Sequence, residues 1–159
     1  MNDTLMPKYN HPEEFKSLEE AKLGQILWAG RNYNKKRITV HPFVVVDNHI
    51  NDKYIYGAML TSSKEYNNIP IAKEYFKEKH ASGEKYNFPD ADKETLFLPR
   101  KFVKFQDWAP FYLIGEVSIE GLKIIKDVIG DMEPEIYSWN FNVEAEKIFV
   151  KNLNNNDVG

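Results

Sequence analysis

The sequence predicts a mainly β fold with appended helices, an α+β chain built round a small coiled β-barrel or strongly bent sheet. Three observations predict it. Short runs rich in Val, Ile, Phe and Tyr recur between polar connectors, as in "FVVV" at 43–46, "YIYGAML" at 54–60 and "FYLIG" at 111–115. One late segment, "SIEGLKIIKDVIG" at 118–130, carries sustained helical spacing. No internal repeat and no linker divides the 159 residues, so they read as a single domain.

The elements follow in order. "HPEEFKSLEEAK", 11–22, spaces Phe15, Leu18 and Ala21 as a short helix begun near Pro12 and stopped by Gly24. "QILWAG", 25–30, is a strand, and "RNYNKKR", 31–37, a polar loop. "ITVHPFVVVD", 38–47, is a strand or a strand pair broken at Pro42, which suits a strand start or an edge. "NHIND" is a turn by composition. "KYIYGAMLTSS", 53–63, is the next strand, with Gly57 marking a bulge. After the loop "KEYNNIP", the spacing over 71–81 predicts a helix of three turns, although "IAKEYF" also fits a strand start. "SGEKYNFPDADKE" is a polar connector. "TLFLPRKFVKF", 95–105, is a strand interrupted at Pro99, and "PFYLIGEVS", 110–118, is another. In the late helix Ser118 caps the start, Leu122, Ile125 and Ile129 share a face, and Gly130 ends it. The tail beyond carries no clear pattern and ends in the polar "NNNDVG".

Composition bounds the chemistry. A net charge of −3 gives no global drive toward nucleic acid or membrane, though a whole-chain sum hides local patches. With no cysteine there is no disulfide, no thiol nucleophile and no thiolate metal site, which suits the cytoplasm. The first residues lack a signal-peptide pattern and no apolar run reaches membrane-spanning length, so a soluble cytoplasmic protein is expected. His41 and His49 stand eight apart with no tight carboxylate partner, so no zinc site is expected. Glycine-rich phosphate loops, nucleophile elbows, dinucleotide fingerprints and calcium loops are missing from the sequence, and no cofactor is called for. The acids of "DNHIND" and "PDADKE" read as loop solubilisers.

Four features carry candidate chemistry. His41 titrates near neutrality and stands at a strand mouth, where it either transfers protons or simply bonds backbone. Thr61, Ser62 and Ser63 end a strand, where hydroxyls donate to phosphate oxygens or make ordinary turn bonds. Arg31, Lys35, Lys36 and Arg37 form one basic group, and Arg100, Lys101 and Lys104 another, either solvated faces or, if brought together, a positive groove for a polyanion. Tyr33, Phe102, Phe105 and Trp108 interleave with them; Phe102 and Phe105 fit core packing, while Tyr33 and Trp108 suit either packing or base stacking.

The order of these pieces resembles a known family. "GQILWAG", a basic loop, "HPFVVVD", a strand ending "LTSS", "IP", "TLFLPRKFVKF" and "IGEVSIEGLKIIKDVI" follow one another as in the PemK/MazF-like toxins of bacterial toxin–antitoxin systems, over about residues 24–130. The resemblance implies an SH3-like barrel, usually a homodimer, with terminal extensions at 1–23 and 131–159. It further implies a groove in which single-stranded RNA is cut without metal and which a partner antitoxin blocks. In such cleavage the ribose 2′-OH attacks the adjacent phosphorus, which requires a base, charge or hydrogen-bond donors for the phosphorane, and an acid for the leaving oxygen. Carried over, the arginine that relatives keep before the proline is here His41, as general acid/base. The Thr/Ser pair falls on Thr61 and Ser62, and the later arginine on Arg100, with Arg37 available to restore the cation missing at 41. Lys36, Ser63 and Lys101 complete the expected phosphate contacts. Phe102 stands where some relatives have an acid. The exchanges at 41 and 102 and the extra terminal segments also fit a rival reading, a non-catalytic barrel of the same shape that binds nucleic acid or a protein partner.

Overall fold

A computed structural model describes residues 6–29, 41–49, 54–106 and 109–135. The described residues form eight strands and one α-helix: β1 (Glu13–Phe15), β2 (Gln25–Ala29), β3 (Phe43–His49), β4 (Tyr54–Thr61), β5 (Ile69–Pro70), β6 (Leu96–Phe97), β7 (Phe102–Phe105), β8 (Phe111–Glu116) and α1 (Ile119–Ile129). All strands join one antiparallel sheet in the order β1-β8-β2-β3-β4-β6-β5, with β7 also on β4. The protein is therefore mainly β with a C-terminal helix. No helix among the described residues is long and apolar enough to cross a membrane.

The long apolar runs become strands covered on both faces. Phe43 to Val46 and Tyr54 to Leu60 are buried without alternation, as the central position of β3 and β4 requires. Ile26, Leu27, Phe111, Leu113 and Ile114 continue the same core, and α1 adds Ile125 and Ile129 with Leu122 half-buried beside them. The Ser118 hydroxyl accepts from the Gly121 N–H and caps the helix as its position predicts. Gly130 closes it in ordinary right-handed backbone.

Gly57 proves decisive for the central pair. Built on its backbone, a Cβ would lie 1.8 Å from the Val44 carbonyl oxygen, so the two strands approach too closely for any side chain. The bulge itself falls on the partner strand: Val45 pairs with Gly57 and Asp47 with Tyr56, leaving Val46 as the extra residue. Pro99 divides β6 from β7 as expected, and both halves return to β4, Phe97 opposite Leu60 and Phe102 opposite Gly57.

Three readings need correction. The helix expected over 11–22 is instead β1 followed by a single 3-10 turn at Leu18–Glu20. A reciprocal capping box between Ser17 and Glu20 starts the turn late, Phe15 is drawn into pairing with Phe111, and Asn48 takes the carbonyls of Leu18 and Ala21 that a longer helix would use. The helix expected over 71–81 shrinks to a 3-10 turn at Lys73–Tyr75, because Phe76 bridges to Val117 and the Lys77 N–H donates to the Glu116 carbonyl. Asn48 and His49, expected in a turn, extend β3; residues 50–53 lie outside the described residues. The segment ahead of residue 24 also supplies β1, at one end of the sheet order.

Candidate functional site

The pairing of β3 with β4 sets the site. Phe43 faces Met59, and the Leu60 N–H donates to the Pro42 carbonyl at 2.8 Å, so the same register carries His41 to a place opposite Thr61. Pro42 ends the regular ladder there, as an imino acid at a strand start does. His41 and Thr61 are half-buried and Ser62 is exposed.

All three line one cleft of about 400 Å³. Its other walls come from distant parts of the chain: Lys8 and Tyr9 ahead of β1, Trp28 in β2, and Asp90, Lys93 and Glu94 in the connector before β6. The Tyr9 hydroxyl donates to the Asp90 carboxylate at 3.1 Å, and the Lys8 ammonium stands 3.6 Å from the same oxygen. Tyr9 meets the edge of Phe88 at 5.0 Å between ring centres. Glu94 pairs with Lys64 at 3.3 Å, which ties the loop after β4 to the cleft rim.

The imidazole of His41 is held below its ordinary range. Burial is the main cause and the buried ammonium of Lys104 adds to it, while a hydrogen bond to the Leu60 backbone pulls the other way. His41 is therefore neutral at neutral pH, the form that accepts a proton. Thr61 Oγ1 accepts from the Ser63 N–H at 3.1 Å and Ser63 Oγ from the Glu65 N–H at 3.2 Å, so both hydroxyls make turn bonds. An accepting hydroxyl keeps its own proton to donate, and Thr61 holds its place on the cleft wall. Ser63 does not line the cleft.

The second basic group disperses. The exposed Arg100 guanidinium reaches Glu135 at 3.8 Å and is not on the cleft wall. Lys101 donates to the Gly130 carbonyl at 2.6 Å, closing the C-terminus of α1, and lies over the Tyr56 ring. Lys104 is buried, its ammonium 5.6 Å from the Phe43 ring centre. Phe102 is core, as its pattern implied. Arg31, Tyr33, Lys35, Lys36, Arg37 and Trp108 lie outside the described residues, as does the side chain of Phe105.

Sequence reasoning missed Lys8, Tyr9, Asp90, Lys93 and Glu94. Tyr9 and Asp90 meet across eighty-one positions of sequence, and nothing local to either segment marks that meeting. Among the described residues no group of three or more His, Asp or Glu side chains is placed to hold a metal ion. Comparison with protein-family models, with curated proteins and with solved structures finds no match.

Proposed function

We propose that this protein is a metal-independent endoribonuclease that cuts single-stranded RNA. In this reading it is a distant relative of the PemK/MazF-like toxins, its sheet closing as an SH3-like barrel. It works in the cytoplasm as a homodimer and is held in check by an antitoxin. The observation that supports the reading best is the meeting of His41, Thr61 and Ser62 on one cleft wall through the β3–β4 register.

His41, neutral, takes the proton of the ribose 2′-OH as that oxygen attacks phosphorus. The hydroxyls of Thr61 and Ser62 donate to the non-bridging oxygens as charge develops there. Lys8 and Lys93 supply the positive charge that the resemblance assigned to Arg100. The bond to the 5′-oxygen breaks, that oxygen takes a proton from water, the hydroxide left behind takes the proton held by His41, and the products are a 2′,3′-cyclic phosphate and a 5′-hydroxyl. Asp90 and Glu94, unsuited to phosphate, face the N–H donors of a base edge.

The test is incubation of the full chain with single-stranded RNA in EDTA, with analysis of the new ends. Cleavage leaving cyclic phosphate is expected, and His41→Ala should lower the rate about a hundredfold or more. Cutting that survives His41→Ala would remove His41 from the mechanism; no cutting by the unsubstituted protein would end the nuclease reading. The rival, a non-catalytic barrel that binds nucleic acid or a protein partner, draws on the absence of Arg100 from the cleft wall and on the two carboxylates lining it. It is favoured if RNA binds and stays whole.

A further inference from the structure

The loop after β4 spends stability to hold an aromatic ring in water. Tyr66 and Asn67 take φ of 58° and 60°, and the Asn68 N–H closes the turn on the Glu65 carbonyl at 3.2 Å. Two successive positive φ values inside such a bond are the signature of a type I′ turn, whose first inner position favours Asn, Asp or Gly. Asn67 fits its place. Tyr66 does not: a bulky side chain in left-handed backbone is an outlier, and outliers of this kind concentrate at functional sites.

Core packing does not explain the choice, since Tyr66 is 83% exposed. Nor is the loop slack. The Ser63 and Glu65 N–H groups bond to the side chains of Thr61 and Ser63, Asn68 Nδ2 donates to the Ser63 carbonyl, and Lys64 pairs with Glu94 on the cleft rim. The ring is presented by a braced loop, four residues beyond Ser62 on the cleft wall. A flat ring with an exposed face and a polar tip is what an unpaired nucleobase stacks on.

We infer that Tyr66 is a stacking platform for an unpaired base of the same single RNA strand that occupies the His41 cleft. The inference rests on the reading of that cleft as an RNA site. It gives the site a second contact, outside the reacting phosphate, that sets affinity without taking part in bond breaking.

The experiment uses the full chain carrying His41→Ala, to prevent cutting, and a fluorescein-labelled mixed-sequence single-stranded RNA of about twelve nucleotides, read by anisotropy. Adding Tyr66→Ala should raise Kd about tenfold or more, while Tyr66→Trp keeps or improves binding. Tyr66→Gly should weaken binding as much as Tyr66→Ala while leaving Tm unchanged or higher, because glycine relieves the left-handed strain. A structural role for the ring predicts the opposite, a lower Tm. Kd unchanged in Tyr66→Ala, or a Trp variant as weak as the Ala variant, would overturn the inference and leave the cleft reading intact. Tight binding lost with Tyr66 in a protein that never cuts RNA would uphold the inference and overturn the nuclease. No RNA binding at all would overturn both.

Discussion

Lys104 is an amine with almost no access to water, 3% exposed, and burial pushes its pKa down to about 8. Its ordinary value in an unfolded chain is near 10.5. Between those values the unfolded chain binds the extra proton, so stability rises with pH across that window; below about 8 the full cost of burying the charge is present. The shift corresponds to about 3 kcal/mol. Relative to Lys104→Met, the unfolding free energy of the unsubstituted chain should rise by up to that amount between about pH 8 and 10.5 in urea titrations. Parallel curves for the two proteins would refute the assignment. The same substitution removes the charge that helps hold His41 low, so the His41 ring signals should titrate at higher pH in the Met variant. His41 itself works with the same sign: its folded pKa lies below its usual 6.5, so its contribution to stability is lost as pH falls through that folded value. At this scale the site was half legible. His41 and Thr61 come together through a hairpin-like pairing of neighbouring strands, which sequence order reveals. Arg100, Lys101 and Lys104 sit within five residues, yet a break at Pro99 and the pleat of β7 send them to Glu135, to Gly130 and to the core.

Among the elements, β4 depends most on a single residue. Gly57→Ala would set a methyl into the Val44 carbonyl and against the Phe43 ring, 2.8 Å away. Neither strand can yield without breaking the pairing that positions His41. A loss of about 3 kcal/mol or more is expected in chemical denaturation. Gly83→Ala is the control: it has open space but a φ of +93°, and should cost about 1–2 kcal/mol. A loss at Gly57 no larger than at Gly83 would show that β3 and β4 can part enough to admit a methyl, since Gly57 lies in backbone that other residues adopt. The elements that sequence reading placed well are those whose signals are local and agree with one another. Ser118, the spacing of Ile125 and Ile129, and the apolar runs of β3, β4 and β8 all point the same way. The two misplaced helices fail for one reason. Phe15 finds a strand partner at Phe111, about a hundred residues on, and Phe76 a bridge partner at Val117, about forty residues on, and tertiary pairing outweighs weak helical spacing.

For the whole molecule, charge and chain order matter most. With a net charge of −3, any affinity for RNA must come from local cations working against a repulsive background. On the proposed reading, log Kd for the labelled RNA should rise linearly with log salt. Lys8→Ala and Lys93→Ala should each reduce that slope by about 0.7, the counterion share of one contact to a single strand. A slope indifferent to both substitutions would place the phosphates elsewhere. The pairing of Glu13 with Leu113 adds a consequence in time. Lys8 and Tyr9 belong to the cleft, Asn10 bonds to Lys85 and Asn87, and β1 rests on a strand made a hundred residues later. A chain that stops before β8 lacks the strand on which β1, and the residues leading into it, rest. During translation the first residues must wait for the eighth strand to leave the ribosome before β1 has a partner, so on the proposed reading a nascent chain shorter than that carries no finished RNA site.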